Sequence, residues 1–166
     1  MKKGWKRTGL IFSILAANIA FDQVTKQIAR QQLKGEPIQT YLNDTLRLLF
    51  VENEGAFLSL GAGLGENIRY WALTILPVVI LLILLLYTLL SNELNRWQII
   101  AYSFILGGGV SNIYDRILYG KVVDFMNMGI GSLRTGIFNF ADVAIMIGLF
   151  MLIPYLFKKP KPKASA

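Results

Sequence analysis

The chain has 166 residues, 54% hydrophobic and only 16% charged, with a formal charge of +7. Soluble domains carry about 25% charged residues, so this composition points to a membrane protein. Histidine and cysteine are both absent. That removes disulfides, thiolate nucleophiles, Cys/His zinc sites and any Ser-His or Cys-His pair, and leaves carboxylates, hydroxyls, lysine and arginine as the available chemistry.

The chain opens on Lys2, Lys3, Lys6 and Arg7, followed by "TGLIFSILAANIAFDQVTKQIA" (8–29). A helix needs about 20 mostly apolar residues to cross a bilayer core, and this run suffices. A basic start before an apolar core also fits a cleaved signal peptide. Against that, the apolar stretch continues through Val24, Ile28 and Ala29, past any small-residue cleavage site. Asp22 and Lys26 stand at i and i+4, the acid-before-base spacing of a helical ion pair. The following segment, 30–69, is too long for a simple linker. Gly35 and Pro37 mark a turn, "TLRLLFVEN" (45–53) has β-rich composition, and "GAGLGENIR" (61–69) is a glycine-rich loop suited to a lid. A small sheet on the outer membrane surface is expected here.

Three more apolar runs follow: 70–90, 98–118 and 137–157. Pro77 and Pro154 are expected to kink their helices, and Gly107, Gly108 and Gly109 to let the third span approach another backbone. Lys158, Lys159, Lys161 and Lys163 close the chain. An even number of spans puts both basic tails on one side, and the positive-inside rule makes that side the cytoplasm, together with the 91–97 loop. Residues 30–69 and 119–136 then face outward. The charge sits in short tails flanking spans, a topology signal rather than a nucleic-acid surface. The expected fold is an all-α integral membrane protein: one membrane domain over 1–166, four transmembrane helices and a small extracytoplasmic β-sheet.

This topology gathers the polar residues in one leaflet. Asp22 and Lys26 lie near the outward end of the first span, and Asn112, Asp115 and Arg116 near that of the third. Asn139 and Asp142 lie near the outward start of the fourth, with Asp142 roughly 8 Å below the helix end at about 1.5 Å per residue. Asp124, in "KVVDF" (121–125), falls in the loop beyond the third span. Asp22–Lys26 reads as a structural ion pair, and Arg116 can snorkel to headgroups. Asp142 has no such reading. A carboxylate among apolar residues costs roughly 2.5–3.5 kcal/mol on insertion scales and marks a functional site. Paired with Asp124 at a poorly hydrated site, one carboxyl keeps its proton while the other ionises, the acid/base logic of aspartic proteases. Competing readings are a Ser/Lys hydrolase using Ser59 or Ser111 with Lys26, a proton-coupled transporter with Asp22 and Asp142 as relays, and a scaffold packed through its glycines.

"DQVTK" (22–26), "NEGA" (53–56), "SNIYDR" (111–116), "VVDF" (122–125) and "FNFAD" (138–142) resemble, in order and spacing, the signature boxes of the lipoprotein signal peptidases, bacterial signal peptidase II. The resemblance covers most of the chain. It implies an aspartic endopeptidase of the bacterial cytoplasmic (inner) membrane that cleaves diacylglyceryl-modified prolipoproteins on the amino side of the lipidated cysteine. Asp124 and Asp142 match the catalytic pair; Asn53, Asn112, Asp115, Arg116 and Asn139 match positions that bind substrate or support the site; Asp22 and Lys26 match a structural box. The implied partners are prolipoprotein substrates and membrane lipids, with no nucleic acid, no metal or other cofactor, and a monomeric enzyme. Two departures stand out. Phe57 and Leu58 occupy positions where the family commonly has Ala and Phe, and Ser111 stands where it commonly has Gly.

Overall fold

Each of the four apolar runs forms a helix in the computed structural model of the chain, which describes residues 4–55, 63 and 65–157. Phe57, Leu58, Ser59, residues 61, 62 and 64 of the glycine-rich segment and the lysines of both tails other than Lys6 lie outside the described residues. Helix α1 spans Trp5–Gln32 and α4 Arg96–Tyr119. Between them α2 (Glu66–Tyr70) runs through a π-helical turn (Trp71–Ile75) into α3 (Leu76–Leu90). The kink expected from Pro77 takes this form: proline lacks the N–H that would continue the regular ladder, and the wider turn sits just before it. Helix α5 covers Phe140–Leu156. Trp5–Gln32 and Glu66–Leu90 are each long and apolar enough to cross a membrane, and α5 is a shorter apolar helix.

The outer segments supply an antiparallel sheet in the order β1-β2-β3-β4, from Gln39–Tyr41, Leu46–Asn53, Val122–Ile130 and Leu133–Arg134. The β-rich 45–53 stretch is therefore a strand. Residues 122–130, expected as a loop, are one too. Val122 to Met126 are buried in succession, so this half of β3 is covered on both faces and shows no polar alternation to betray it. Between the Leu48↔Met126 and Val51↔Asp124 pairs, β2 carries one residue more than β3, a β-bulge beside Asp124.

Helix α4 is the centre of the assembly. Successive residues on a helix point about 100° apart, and Gly107, Gly108 and Gly109 accordingly meet three helices. A side chain there would meet Asn18 of α1, the Ala141 carbonyl oxygen of α5 and Leu81 of α3, respectively. One apolar cluster, Ile11, Leu15, Leu94, Ile99 and Leu106, joins α1 to α4 near the chain's first residues. A second, Ala29, Leu33, Val123, Phe125 and Met126, seats the sheet on the far end of α1 with Phe140 and Val143 of α5 packed against it. Val79, Ile80, Leu82, Ile83 and Leu86 of α3 are all exposed, as on a helix whose outer face meets lipid.

Arg7 is not part of a solvated basic tail. It is 1% exposed and donates through Nε and Nη2 to the Thr88 carbonyl and through Nη1 to that of Ser91 at 2.7 Å. These are carbonyls of the last turn of α3, which the helix itself leaves without partners. Arg7→Met is expected to destabilise the protein by about 2–3 kcal/mol, and Arg7→Lys to recover only part of this because lysine lacks the forked donor geometry. Thermal midpoints in detergent measure both; an unchanged midpoint in Arg7→Met would show that the cap is dispensable.

Candidate active site

Asp124 faces the interior from β3. Val51 opposes it, and Asn53, two residues further along β2, lies on the same face. After β4 the chain returns along β3, where Phe138 bridges Met126 and exchanges backbone hydrogen bonds with it. This extended return delivers Asn139 beside Asp124. Helix α5 begins only at Phe140, so Asp142 is not 8 Å deep: Phe138 packs against the sheet's apolar cluster, Ile137 lines the cavity beside Asp124, and Asp142 sits in the first helical turn. There it closes a capping box. Asn139 Oδ1 accepts from the Asp142 N–H at 3.0 Å, and Asp142 Oδ2 accepts from the Asn139 N–H at 3.1 Å. The helix N-terminus and this N–H offset the cost of the carboxylate.

Three asparagines converge on the two aspartates, each turned by a group that can only donate. Asn53 Oδ1 is held by the Gly55 N–H at 2.9 Å, so its Nδ2 faces Asp124 Oδ2 at 2.9 Å. Asn139 Oδ1 is held by the Asp142 N–H, so its Nδ2 faces Asp124 Oδ1 at 2.7 Å. Asn112 Oδ1 accepts from Lys26 Nζ at 2.8 Å, and its Nδ2 donates to Asp142 Oδ1 at 2.9 Å. A carboxylate accepts and an amide nitrogen donates, so each orientation is chemically fixed. Burial pushes the Asp124 carboxyl up to about 6; the Asn53 and Asn139 donors pull against that, and the charge of Asp142 adds to it.

Both aspartates line one small cavity with Asn53, Asn112, Arg116 and Asn139. Its volume of about 20 Å³ matches the room one water needs. Arg116 reaches it from α4, donating to the Gly55 carbonyl at 2.9 Å, and its buried Nε has no acceptor among the described residues. The same arginine borders a polar recess lined by Glu54, Glu66 and Arg69 and an apolar groove of about 290 Å³ lined by Leu73, Pro77, Ile80, Ile105 and Ile145. A water-sized polar cavity, a polar recess and an apolar groove therefore meet at one side chain.

Asp115 does not share this destination with Asn112 and Arg116. It turns to Lys26, whose Nζ also pairs with Asp22, both at 2.7 Å and all three carriers of charge fully or almost fully buried. The expected Asp22–Lys26 pair is thus half of a triad. Asp22 does more than pair: its Oδ1 accepts from the Ala141 N–H at 2.8 Å, so α1 helps cap α5. Ser111 gives its departure a use, donating from Oγ to Asp22 Oδ2 at 2.7 Å, a bond that glycine cannot make. Lys26 Nζ donates to Asn112 Oδ1 and lies 2.7 Å from a carboxylate oxygen of each of Asp22 and Asp115, while Ser111 Oγ donates to Asp22 instead. Gln23 was not foreseen. Its Nε2 donates to Asp115 Oδ1 at 3.1 Å and to Ser111 Oγ at 3.0 Å, and its only sequence signal was its place between Asp22 and Lys26.

Comparison with known proteins agrees over nearly the whole chain. A family model described as signal peptidase (SPase) II matches residues 14–158. The lipoprotein signal peptidase of Sphingopyxis alaskensis is 37% identical over 149 residues, covering 89% of this chain and 83% of its own. That of Aquifex aeolicus is 34% identical over 159 residues, covering 95% and 92%. A bacterial membrane enzyme solved by the in meso method at 2.3 Å resolution superposes with a TM-score of 0.77 at 27% identity, over 93% of this chain and 95% of that one.

Proposed function

The chain belongs to the signal peptidase II family, and from that premise we propose that it removes signal peptides from diacylglyceryl-modified prolipoproteins as an aspartic endopeptidase of the bacterial inner membrane. Cleavage falls on the amino side of the lipidated cysteine. Four helices, α1, α2–α3, α4 and α5, span the bilayer with both termini cytoplasmic, and the sheet lies outside. The observation that carries the reading is the single-water cavity shared by Asp124 of β3 and Asp142 of α5.

Asp142, at a helix N-terminus, is the ionised partner, and Asp124 keeps its proton. Asp142 takes a proton from the water as its oxygen attacks the scissile carbonyl carbon, while Asp124 gives its proton to the carbonyl oxygen. The resulting gem-diol collapses when Asp142 passes its proton to the leaving amine of the cysteine and Asp124 regains its own. No covalent intermediate forms. Arg116, which borders the cavity, the polar recess and the groove, meets the substrate backbone where they join, and the apolar groove beside it takes acyl chains.

Purified protein in detergent is expected to cleave a diacylglyceryl-modified prolipoprotein and to leave the unlipidated one intact. Equal cleavage of both would overturn the lipid requirement. The proton on Asp124 gives a second expected result. A carboxyl raised to about 6 is protonated below that pH and ionised above it, and ionisation removes the proton that the carbonyl oxygen needs. The kcat/KM profile should therefore fall on its alkaline side through an inflection at about 6 or above. A profile flat from about pH 5 to about pH 9 would reject Asp124 as the acid.

A further inference from the structure

We infer that Lys26 is a positioning residue for the reaction, holding the Asn112 amide in the one orientation that presents its Nδ2 to Asp142. This rests on the peptidase reading and goes beyond a structural ion pair. Two carboxylates, Asp22 and Asp115, satisfy the charge of a buried lysine, each at 2.7 Å. The hydrogen bond that its ammonium donates goes instead to Asn112 Oδ1 at 2.8 Å.

That contact decides the far end of the amide. An ammonium only donates, so it must meet the oxygen, and the nitrogen must then face Asp142 Oδ1. The other two asparagines around the pair take their orientation from backbone N–H groups, of Gly55 and Asp142, which no side-chain substitution removes. Asn112 alone takes it from a side chain. Its only other donor among the described residues is Asn139 Nδ2 at 3.2 Å, which makes a shorter bond to Asp124 at 2.7 Å. Without Lys26 the amide loses the anchor at its oxygen end and can swing off the carboxylate, so that Nδ2 no longer fixes the base against the water that it must hold. Lys26 itself is rigid: it is fully buried, and its two acids are further held by Ser111, the Ala141 N–H and Gln23.

The test removes the lock at constant net charge, with Ser111 Oγ and the Ala141 N–H still donating to the Asp22 carboxylate. Asp22, Lys26 and Asp115 together carry one net negative charge, and so does the cluster in Lys26→Met/Asp115→Asn. This variant is expected to lose kcat on the order of tenfold to a hundredfold with KM unchanged. Combined with Asn112→Ala, it should lose no more than Asn112→Ala alone, because both changes break the same contact. Lys26→Gln/Asp115→Asn, similar in size but able to donate to Asn112 Oδ1, should recover severalfold of the loss. A purely structural lysine predicts otherwise: losses that multiply with Asn112→Ala and no difference between Met and Gln, and either result would overturn the assignment. If the Met pair does not fold, the Gln pair carries the same cycle, and multiplying losses there would also overturn it. Wild type and Asp142→Asn are assayed alongside. An inactive wild type would bring down the peptidase reading and this inference with it, whereas an active wild type and a dead Asp142→Asn leave the peptidase standing whichever way the cycle falls.

Discussion

Asp142→Asn is expected to lower kcat by at least about a thousandfold while the folded protein still binds lipidated substrate, and Asp124→Asn to do the same. Asparagine keeps the shape of each side chain and one of its acceptor oxygens. At position 142 that oxygen can still receive the Asn139 N–H and preserve the capping box. The basicity is what disappears: an amide takes no proton from water and gives none to a carbonyl. One of the surrounding donors then faces an NH2 group, a cost of about 1–3 kcal/mol that the removal of a poorly solvated charge partly offsets. Asp142→Ala makes the contrast, since it deletes the cap as well and should lower the thermal midpoint further. Single-turnover cleavage, binding of lipidated substrate and detergent melts separate the three effects. Full activity in either asparagine variant would sink the two-aspartate mechanism.

Gly108→Ala is expected to cost about 1–3 kcal/mol of stability and to reduce turnover together with it. A Cβ at this position would run into the Ala141 carbonyl oxygen, which is backbone and cannot swing aside. Ala141 lies next to Asp142, so relief of the clash moves the first turn of α5 and the carboxylate with it. Gly109→Ala serves as the comparison. Its new methyl would meet only the Leu81 side chain, whose rotamers can yield, and the loss should be smaller. Equal melts for the two variants would mean that α5 is free to slide on α4 and that the close approach does not set the position of Asp142.

The helices were legible because their apolar runs are long and uninterrupted; the depth of Asn112, Arg116, Asn139 and Asp142 in the spans gathered them in one leaflet, whereas Asn53 came only with the family resemblance. Three things were hidden, each for a physical reason. β3 reads as featureless because its first half is buried on both faces. Hydropathy begins the last helix at Ile137, yet the chain is still extended there, and hydropathy measures burial rather than backbone conformation. The signal that could have corrected this was present: Asn139 with an acid three residues on is a capping box. Arg7 was counted with the tail because nothing local distinguishes a lysine or arginine that meets water from one that reaches the end of another helix 81 residues away. The triad around Lys26 was half visible for the same reason, since Asp22 is its helical neighbour and Asp115 is not.

The bulge in β2 has a consequence for how this segment can vary in descent. Strand pairing has a phase of two, and the same strand paired regularly from Leu48↔Met126, with no bulge, would bring Glu52, not Asn53, opposite Val122 and onto the face of Asp124. A donor amide would give way to a second negative charge. Leu49 and Phe50 together oppose the single Phe125, so this is where a codon can be lost with the downstream phase intact. With the bulge kept in place, a codon lost between Val51 and Asn53 would instead move the wrong side chain to the site.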